Sequence, residues 1–320
     1  MTCLTVVLCG ALAAPAWGGT AYVANDLDDN VSVIDTDTNA TIGNEIEVGN
    51  GPRVLAVTPN GRKVYVANRA SSNVSVIDTV KKKVIGKPIK VGKQPRGIVA
   101  SPDGKRVYTA NRITDSVSVI NTKTDEKIAK VGVGNRPHGI TITPNGRRVY
   151  VADNDDGKVS VINTKTNKTV GGQIDVGGGP EGMTATPDGD SVYVANFFDG
   201  TVSVIDTASN QTVETIAVGG GPTGMAANPA SPRVYTANEG SGNVDVIDTA
   251  TNQVIAMPFV PGGFPVSVAV TPDGSRAYVA NRGDGTVSVI DTATNAVVGS
   301  PIGVGDGPRG VAITDRDFGS

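Results

Sequence analysis

The sequence predicts an all-β fold, a seven-bladed β-propeller, and three observations predict it. A Tyr-Val/Thr-Ala-Asn/Asp quartet opens at Tyr22, Tyr65, Tyr108, Tyr150, Tyr193, Tyr235 and Tyr278, and it recurs every 42 or 43 residues. These are all seven tyrosines of the chain. A Val-x-Val-Ile-Asp/Asn-Thr run follows each quartet, first at Val31 and last at Val287. A third motif, usually Pro-x-Gly, falls at Pro52, Pro95, Pro137, Pro180, Pro222, Pro265 and Pro308. A fixed period of this length, divided into four short apolar segments, marks a propeller blade.

Each unit reads as four strands, A to D, separated by turns. Strand A follows the Pro-x-Gly motif and is small and apolar, as in Gly97-Ile98-Val99-Ala100. Small residues suit strands that converge on one axis. Gly97, Gly139, Gly182, Gly224 and Gly310 occupy the motif's third position, with Val54 and Ser267 in the other two units. A Pro-Asp/Asn-Gly turn such as Pro102-Asp103-Gly104 follows, with Pro presetting φ and Gly taking the positive-φ position. Strand B carries the tyrosine quartet and strand C the Val-x-Val-Ile alternation. An Asp-Thr-x-Thr-Asn turn comes next, whose Asp and Thr side chains can bond nearby backbone N–H groups. Strand D is more variable and ends in Val-Gly.

The first unit starts at strand B, near Tyr22, and a lone strand A, Gly310-Val311-Ala312-Ile313, lies near the C-terminus. The expected closure therefore joins one C-terminal strand to three N-terminal strands, so that strand B of the first blade is not left as an open edge. Residues 17–320 form a single expected domain. Residues 1–16 form an expected export signal: Leu4 to Ala16 is apolar and too short to span as a helix, and Ala14-Pro15-Ala16 resembles a cleavage site. Export to the periplasm, the medium or the cell surface follows from that reading. Cys3 and Cys9, the only cysteines, fall inside this segment, so the mature domain is expected to carry no disulfide or thiol chemistry.

Hydrophobic residues make up 38% of the chain and charged residues 18%, a globular rather than disordered balance. A net charge of −3 argues against a broad nucleic-acid-binding face. No apolar stretch after the first twenty residues is long enough for a membrane span. The domain is expected to be a monomer without a cofactor.

The quartets, the Val-Ser-Val-Ile-Asp-Thr runs and the Pro-Asp-Gly turns resemble the YVTN-type β-propeller repeat over about residues 20–314. That resemblance implies an archaeal surface-layer or exported bacterial propeller. It is specific for fold and says little about activity.

Strand order sends the D–A and B–C loops to one face, here the top. The bottom turns are regular, whereas the top loops vary, so a ligand site is expected around the channel mouth. The middle residue of each Pro-x-Gly motif points there: Arg309, Arg53 and Arg96 from three adjacent blades, then His138 and Glu181, followed by Thr223 and Val266. Residues just after the quartets add Arg69, Arg112 and Arg282, with Glu181 and Glu239 expected across the ring from the arginines. Such a sector suits a carboxylate or phosphate, which the guanidinium fork binds bidentately. The bland alternative is arginines solvated or paired with neighbouring acids. Phe197, Phe198 and Phe264 are candidate recognition aromatics in the same loops, and Phe264 could equally fill its own blade junction.

His138 is the only histidine. A histidine-rich metal site is thereby excluded, and His138 is the one acid/base candidate of its kind. The acidic runs Asp153-Asn154-Asp155-Asp156-Gly157 and Asp26-Leu27-Asp28-Asp29 do not match a calcium loop and read as solvated loops, so no metal site is expected. Three functions remain. The first is a non-enzymatic exported propeller binding a protein, a cell-envelope component or a small anion through its top face. The second is a lactonase- or lyase-type enzyme using His138, with Arg53, Arg96 and Glu181 orienting the ligand. The third is a structural surface-layer module.

Overall fold

The computed structural model describes residues 18–315; the export segment expected over residues 1–16 lies outside them. Seven antiparallel sheets of four strand positions form the ring, as the repeat predicts. Blade 2 is representative: Pro52–Val57 (A), Lys63–Asn68 (B), Asn73–Asp78 (C) and Lys83–Lys90 (D). Tyr65 on B pairs with Ala56 on A and Val76 on C. Closure also occurs as expected. Pro308–Asp315 is strand A of blade 1 and pairs with strand B, Gly19–Asn25, so that Tyr22 lies between Ala312 and Val33.

Burial explains the composition of each strand. B and C lie mid-blade and are sandwiched between adjacent blades, so Val64 to Asn68 and Val74 to Ile77 are buried without an outward polar face. β-Branched residues fit such a surface. Strand D lies at the rim and is mostly exposed. In blades 1 and 4 it breaks into two short pieces, Ala40–Thr41 with Ile46–Glu47 and Lys168–Thr169 with Ile174–Asp175. The apolar cores lie between blades: Tyr65, Val74 and Ile89 of blade 2 pack with Ile98, Val107 and Ile120 of blade 3. At the seam Tyr278, Val287 and Val289 of blade 7 pack with Ala21, Val23, Ile34 and Val311 of blade 1. No blade completes its core alone.

Among the described residues, six of the interfaces are also latched by polar groups at the bottom. The last residue of the C–D turn adopts positive φ, for example Asn39, Asn167, Asn210, Asn252 and Asn295. In several blades its side-chain oxygen accepts a hydrogen bond from strand B of the preceding blade. Tyr150 Oη donates to Asn210 Oδ1 at 2.7 Å, and Tyr278 Oη donates to Asn39 Oδ1 at 2.6 Å. Tyr193 does the same with Asn252, and Tyr65 with Asp125. In blades 3 and 6 the guanidiniums of Arg106 and Arg233 reach the turn carbonyls of Thr164 and Thr292. The Asn of the turn motif therefore does two jobs, tolerating the left-handed backbone and accepting the latch.

The strand-A glycines have a different cause. A Cβ on Gly139 would lie 1.9 Å from the Glu181 carbonyl oxygen, and one on Gly182 would lie 2.0 Å from that of Thr223. On Gly97 it would meet the His138 carbonyl at 2.5 Å, and on Gly310 the Arg53 carbonyl at 2.6 Å. Around the axis each glycine thus receives the backbone of the next blade's Pro-x-Gly motif. The same backbone carries the side chains that face the channel.

Candidate functional site: the mouth of the axial channel

The innermost strands enclose a cavity of about 500 Å³, lined by Arg53, Arg96, His138, Glu181, Phe197, Glu239, Arg282 and Arg309 above, with Met183, Met225, Val54 and Val268 among the apolar residues of the wall. The middle residues of the Pro-x-Gly motifs do converge there. Backbone geometry helps to aim them: the residue preceding each Pro has positive φ in all seven blades, as Gly51, Gln94, Arg136, Gly179, Gly221, Phe264 and Gly307.

The charged side chains form three groups. In the first, Arg96 of blade 3, His138 of blade 4 and Glu181 of blade 5 meet. His138 Nδ1 lies 3.1 Å from Glu181 Oε1 and 3.0 Å from Arg96 Nη1, and Arg96 Nη1 lies 3.6 Å from Glu181 Oε1. Glu181 therefore joins the Arg96 side of the channel instead of standing opposite it, because the long Arg96 side chain reaches past blade 4. From the B–C loop, Arg112 Nε donates to His138 Nε2 at 3.2 Å, while Arg112 Nη1 donates to Gln94 Oε1 at 3.2 Å.

These contacts select a tautomer. With the proton on Nδ1, His138 donates to Glu181 and accepts from Arg112 through Nε2. With the proton on Nε2, both contacts are lost and only the one from Arg96 survives. The Nδ1–H form satisfies more of the site. Burial lowers the His138 pKa, and the neighbouring Arg96 and Arg53 charges act in the same direction against the Glu181 hydrogen bond, so the ring is neutral at neutral pH. Burial alone would raise the Glu181 pKa; the His138 hydrogen bond and the nearby arginines outweigh it and hold the carboxylate ionised.

In the second group, Arg309 Nε lies 3.6 Å from Asp26 Oδ2, and Arg69 Nη2 lies 3.7 Å from Asp26 Oδ1. Arg282 Nη1 bonds Glu239 Oε1 at 3.3 Å in the third. Arg53 stands apart from all three. Among the described residues its guanidinium has no hydrogen bond and no ion pair, although it lines the cavity. Burial lowers its pKa first, then the charges of Arg96 and Arg309, and an arginine so placed still keeps its proton at neutral pH.

Not every expected residue reaches the cavity. Arg69 and Arg112 sit behind the lining and act through Asp26 and His138. Phe197 lines the mouth and stacks edge-on against Phe198 at 5.6 Å. Phe264 does not line the channel: its left-handed backbone leaves it 57% exposed, beside Gly283. The acidic runs, read from the sequence as solvated loops, latch neighbouring loops instead. Asp29 accepts from the Gly51 N–H, Asp28 from that of Asp306 and Asp156 from that of Asn135. No cluster of potential metal ligands occurs among the described residues.

Fold and site together define a seven-bladed propeller with a charged, partly apolar channel mouth. The chain belongs to the family described as Lactonase, 7-bladed beta-propeller, whose model matches it over residues 7–95, 84–169 and 121–219. No curated protein matches the sequence. Among solved structures, a functionally unknown protein from Desulfotomaculum acetoxidans superposes with a TM-score of 0.82 at 18% identity, over 93% of this chain and 99% of that one. A Bacteroides fragilis protein provisionally assigned as a 6-phosphogluconolactonase gives 0.78 at 19% identity, over 95% and 100%. Kuenenia stuttgartiensis hydrazine synthase gives 0.74 at 23% identity, over 83% and 95%. Likeness at these identities reflects the shared fold.

Proposed function

We propose that the channel mouth is the active site of a lactonase, an enzyme that opens the ring ester of a small lactone with water. The observation that carries this reading is the Arg96–His138–Glu181 cluster at the cavity of a chain in the lactonase propeller family. In the proposed reaction Glu181 takes a proton from water, whose oxygen adds to the lactone carbonyl. Arg96 faces the oxyanion that forms. The ring C–O bond then breaks, and the proton held by Glu181 passes to the departing ring oxygen. The product is the open hydroxy acid, which releases its carboxyl proton to solvent. His138 has its single lone pair capped by Arg112, so its role is to position Glu181; Glu181 replaces His138 as the acid/base residue expected from the sequence.

The test follows acid release from δ-lactones in a pH-stat. Glu181→Gln should lower kcat by about 10²- to 10⁴-fold, with little change in KM. Full retention of kcat would remove Glu181 from the chemistry.

Family membership favours this reading over the non-enzymatic one. A specific observation nevertheless supports partner binding as a second reading, since Phe198 and Phe264 expose 74% and 57% of their surface at the top. Membership of the YVTN repeat group and export through residues 1–16 are part of the same proposal. Cleavage after Ala16 in an exporting host, read by N-terminal sequencing, tests the latter.

A further inference from the structure

We infer that Arg53 is the anchor of an anion subsite at the ring seam, which binds an oxyanion group, a carboxylate or a phosphate, through Arg53 with Arg309 and Arg96 beside it. Its bearing on substrate choice rests on the lactonase reading, whereas the binding of an anion does not.

Three observations carry it. The first is the charge balance of the lining. Four arginines face two glutamates around the cavity, and each glutamate is already engaged, Glu181 by Arg96 and His138 and Glu239 by Arg282. Arg309 is paired with Asp26, which lies outside the lining, so the surplus positive charge falls on Arg53.

The second is the contrast among equivalent positions. Arg53, Arg96 and Arg309 occupy the same motif position in adjacent blades, and two of them have a carboxylate partner. Arg53 has none among the described residues, and both flanking arginines repel it. Arg53 is half-buried, and the carboxylates that attract it, Glu181 and Asp26, lie beyond ion-pair distance and are already paired with other cations, so its guanidinium gains little from the fold. A residue whose purpose was structural would be paired here or replaced by an apolar one.

The third is the shape of the enclosure. The Arg53 guanidinium faces an open cavity of about 500 Å³, large enough for a small organic acid or a sugar phosphate beside the Glu181 cluster. A planar fork presents paired donors to two oxygens at once. An anion held there would sit across blades 1, 2 and 3, with its uncharged remainder extending toward Glu181 and the apolar wall of Met183 and Met225.

The experiment has two arms, because the oxyanion could be a free ion or a group carried on the lactone. Isothermal titration calorimetry with inorganic phosphate and with succinate measures anion binding without turnover. Arg53→Gln should weaken binding of whichever anion binds by about 10- to 100-fold, and wild-type binding should decline with added chloride. Arg147→Gln, on an exposed bottom turn, loses the same charge and should leave binding unchanged. The second arm compares KM for a phosphorylated and an unphosphorylated δ-lactone, expecting a lower KM for the charged one that Arg53→Gln abolishes.

A thermal melt separates this from a structural role. Without ligand, Arg53→Met should melt at or above the wild-type temperature, because Arg53 makes no hydrogen bond or ion pair among the described residues that its loss would break and it is repelled by Arg96 and Arg309; a marked loss of stability would overturn the inference. Phosphate or succinate binding lost in Arg53→Gln, with no lactone turned over, would retain the subsite and remove the lactonase reading. Lactone turnover indifferent to substrate charge, with neither anion binding, would do the reverse.

Discussion

Tyr278 Oη donates a 2.6 Å hydrogen bond to Asn39 Oδ1, joining the last complete blade to the first. Tyr278 is fully buried and Asn39 has a left-handed backbone, with φ of 52°. The pair repeats at the seam the latch that Tyr150 makes with Asn210 within the ring.

Tyr278→Phe should therefore destabilise the protein by about 1 kcal/mol, the net worth of one such bond. Asn39→Gly keeps the backbone conformation and loses the bond, so it should cost a similar amount. Asn39→Ala loses both and should cost about 1 kcal/mol more. Combining Tyr278→Phe with Asn39→Gly should add little to either alone, as read by urea denaturation. Full additivity would mean the two residues do not act as a pair.

Gly139→Ala should be among the most damaging single-methyl additions, because its methyl would overlap the Glu181 carbonyl. Backbone cannot swing away as a side-chain tip can, so the cost should reach or exceed about 1–3 kcal/mol. The same displacement moves Glu181, and lactone turnover should fall by more than the folded fraction does. Gly132→Ala, where nothing lies close to the added atom, is the control. Equal melting temperatures for the two variants would contradict the packing account.

Asp153 is a departure from the repeat, since Asn25, Asn68, Asn111, Asn196, Asn238 and Asn281 occupy its equivalents. Burial pushes its carboxyl up to about 6, against hydrogen bonds from Ser160 and Gln173 that favour the charged form. Its folded pKa lies above the unfolded value of 3.8, so the folded state holds the proton longer. Stability should then fall as pH rises from 3.8 to about 6 and level off above it. Asp153→Asn should raise the unfolding free energy at pH 7 by at most about 3 kcal/mol, seen as a higher urea midpoint, and the two proteins should converge near pH 4. A midpoint for Asp153→Asn no higher than wild type at pH 7 would rule out a penalty from the buried charge.

The solitary histidine makes its own state directly observable. Protein labelled with ¹⁵N-histidine should show one imidazole, with the proton on Nδ1 and Nε2 free. It should stay neutral until the pH falls below the ordinary histidine value of 6.5, because burial lowers its pKa. Arg112→Gln should alter the Nε2 signal and slow turnover while leaving KM nearly unchanged. A signal from Nε2–H in the wild type would invalidate the positioning role given to His138.

Blade number, strand order and closure were legible because each rests on a local pattern repeated seven times. The cavity lining was legible to the same depth, since Pro-x-Gly places its middle residue on the axis in every blade. Partnerships were not, because they depend on side-chain reach between blades. Arg53, Arg96 and Arg309 are indistinguishable by motif position. They differ in which carboxylate lies within reach: Arg309 finds Asp26 in the B–C loop of its own blade, and Arg96 finds Glu181 on the inner strand two blades away. Phe264 illustrates a second limit: its left-handed φ turns it from the mouth, and no composition signal announces that. Gln94 carried a signal that could have been used, since it occupies a position held by Gly in four blades and its side chain meets Arg112.

The closing strand Pro308–Asp315 is held to the ring by non-covalent contacts, namely strand pairing, packing and the Arg309–Asp26 ion pair, and it carries Arg309 into the cavity. A ring fastened this way has an exit route in which the terminal strand peels from Gly19–Asn25 before the rest unfolds. An anion shared by Arg309 and Arg53 would act as a clasp across that route, adding its binding free energy to the cost of peeling. The lifetime of the protein against proteases would then follow the concentration of that anion, so that occupancy of the channel mouth sets how long the folded ring persists.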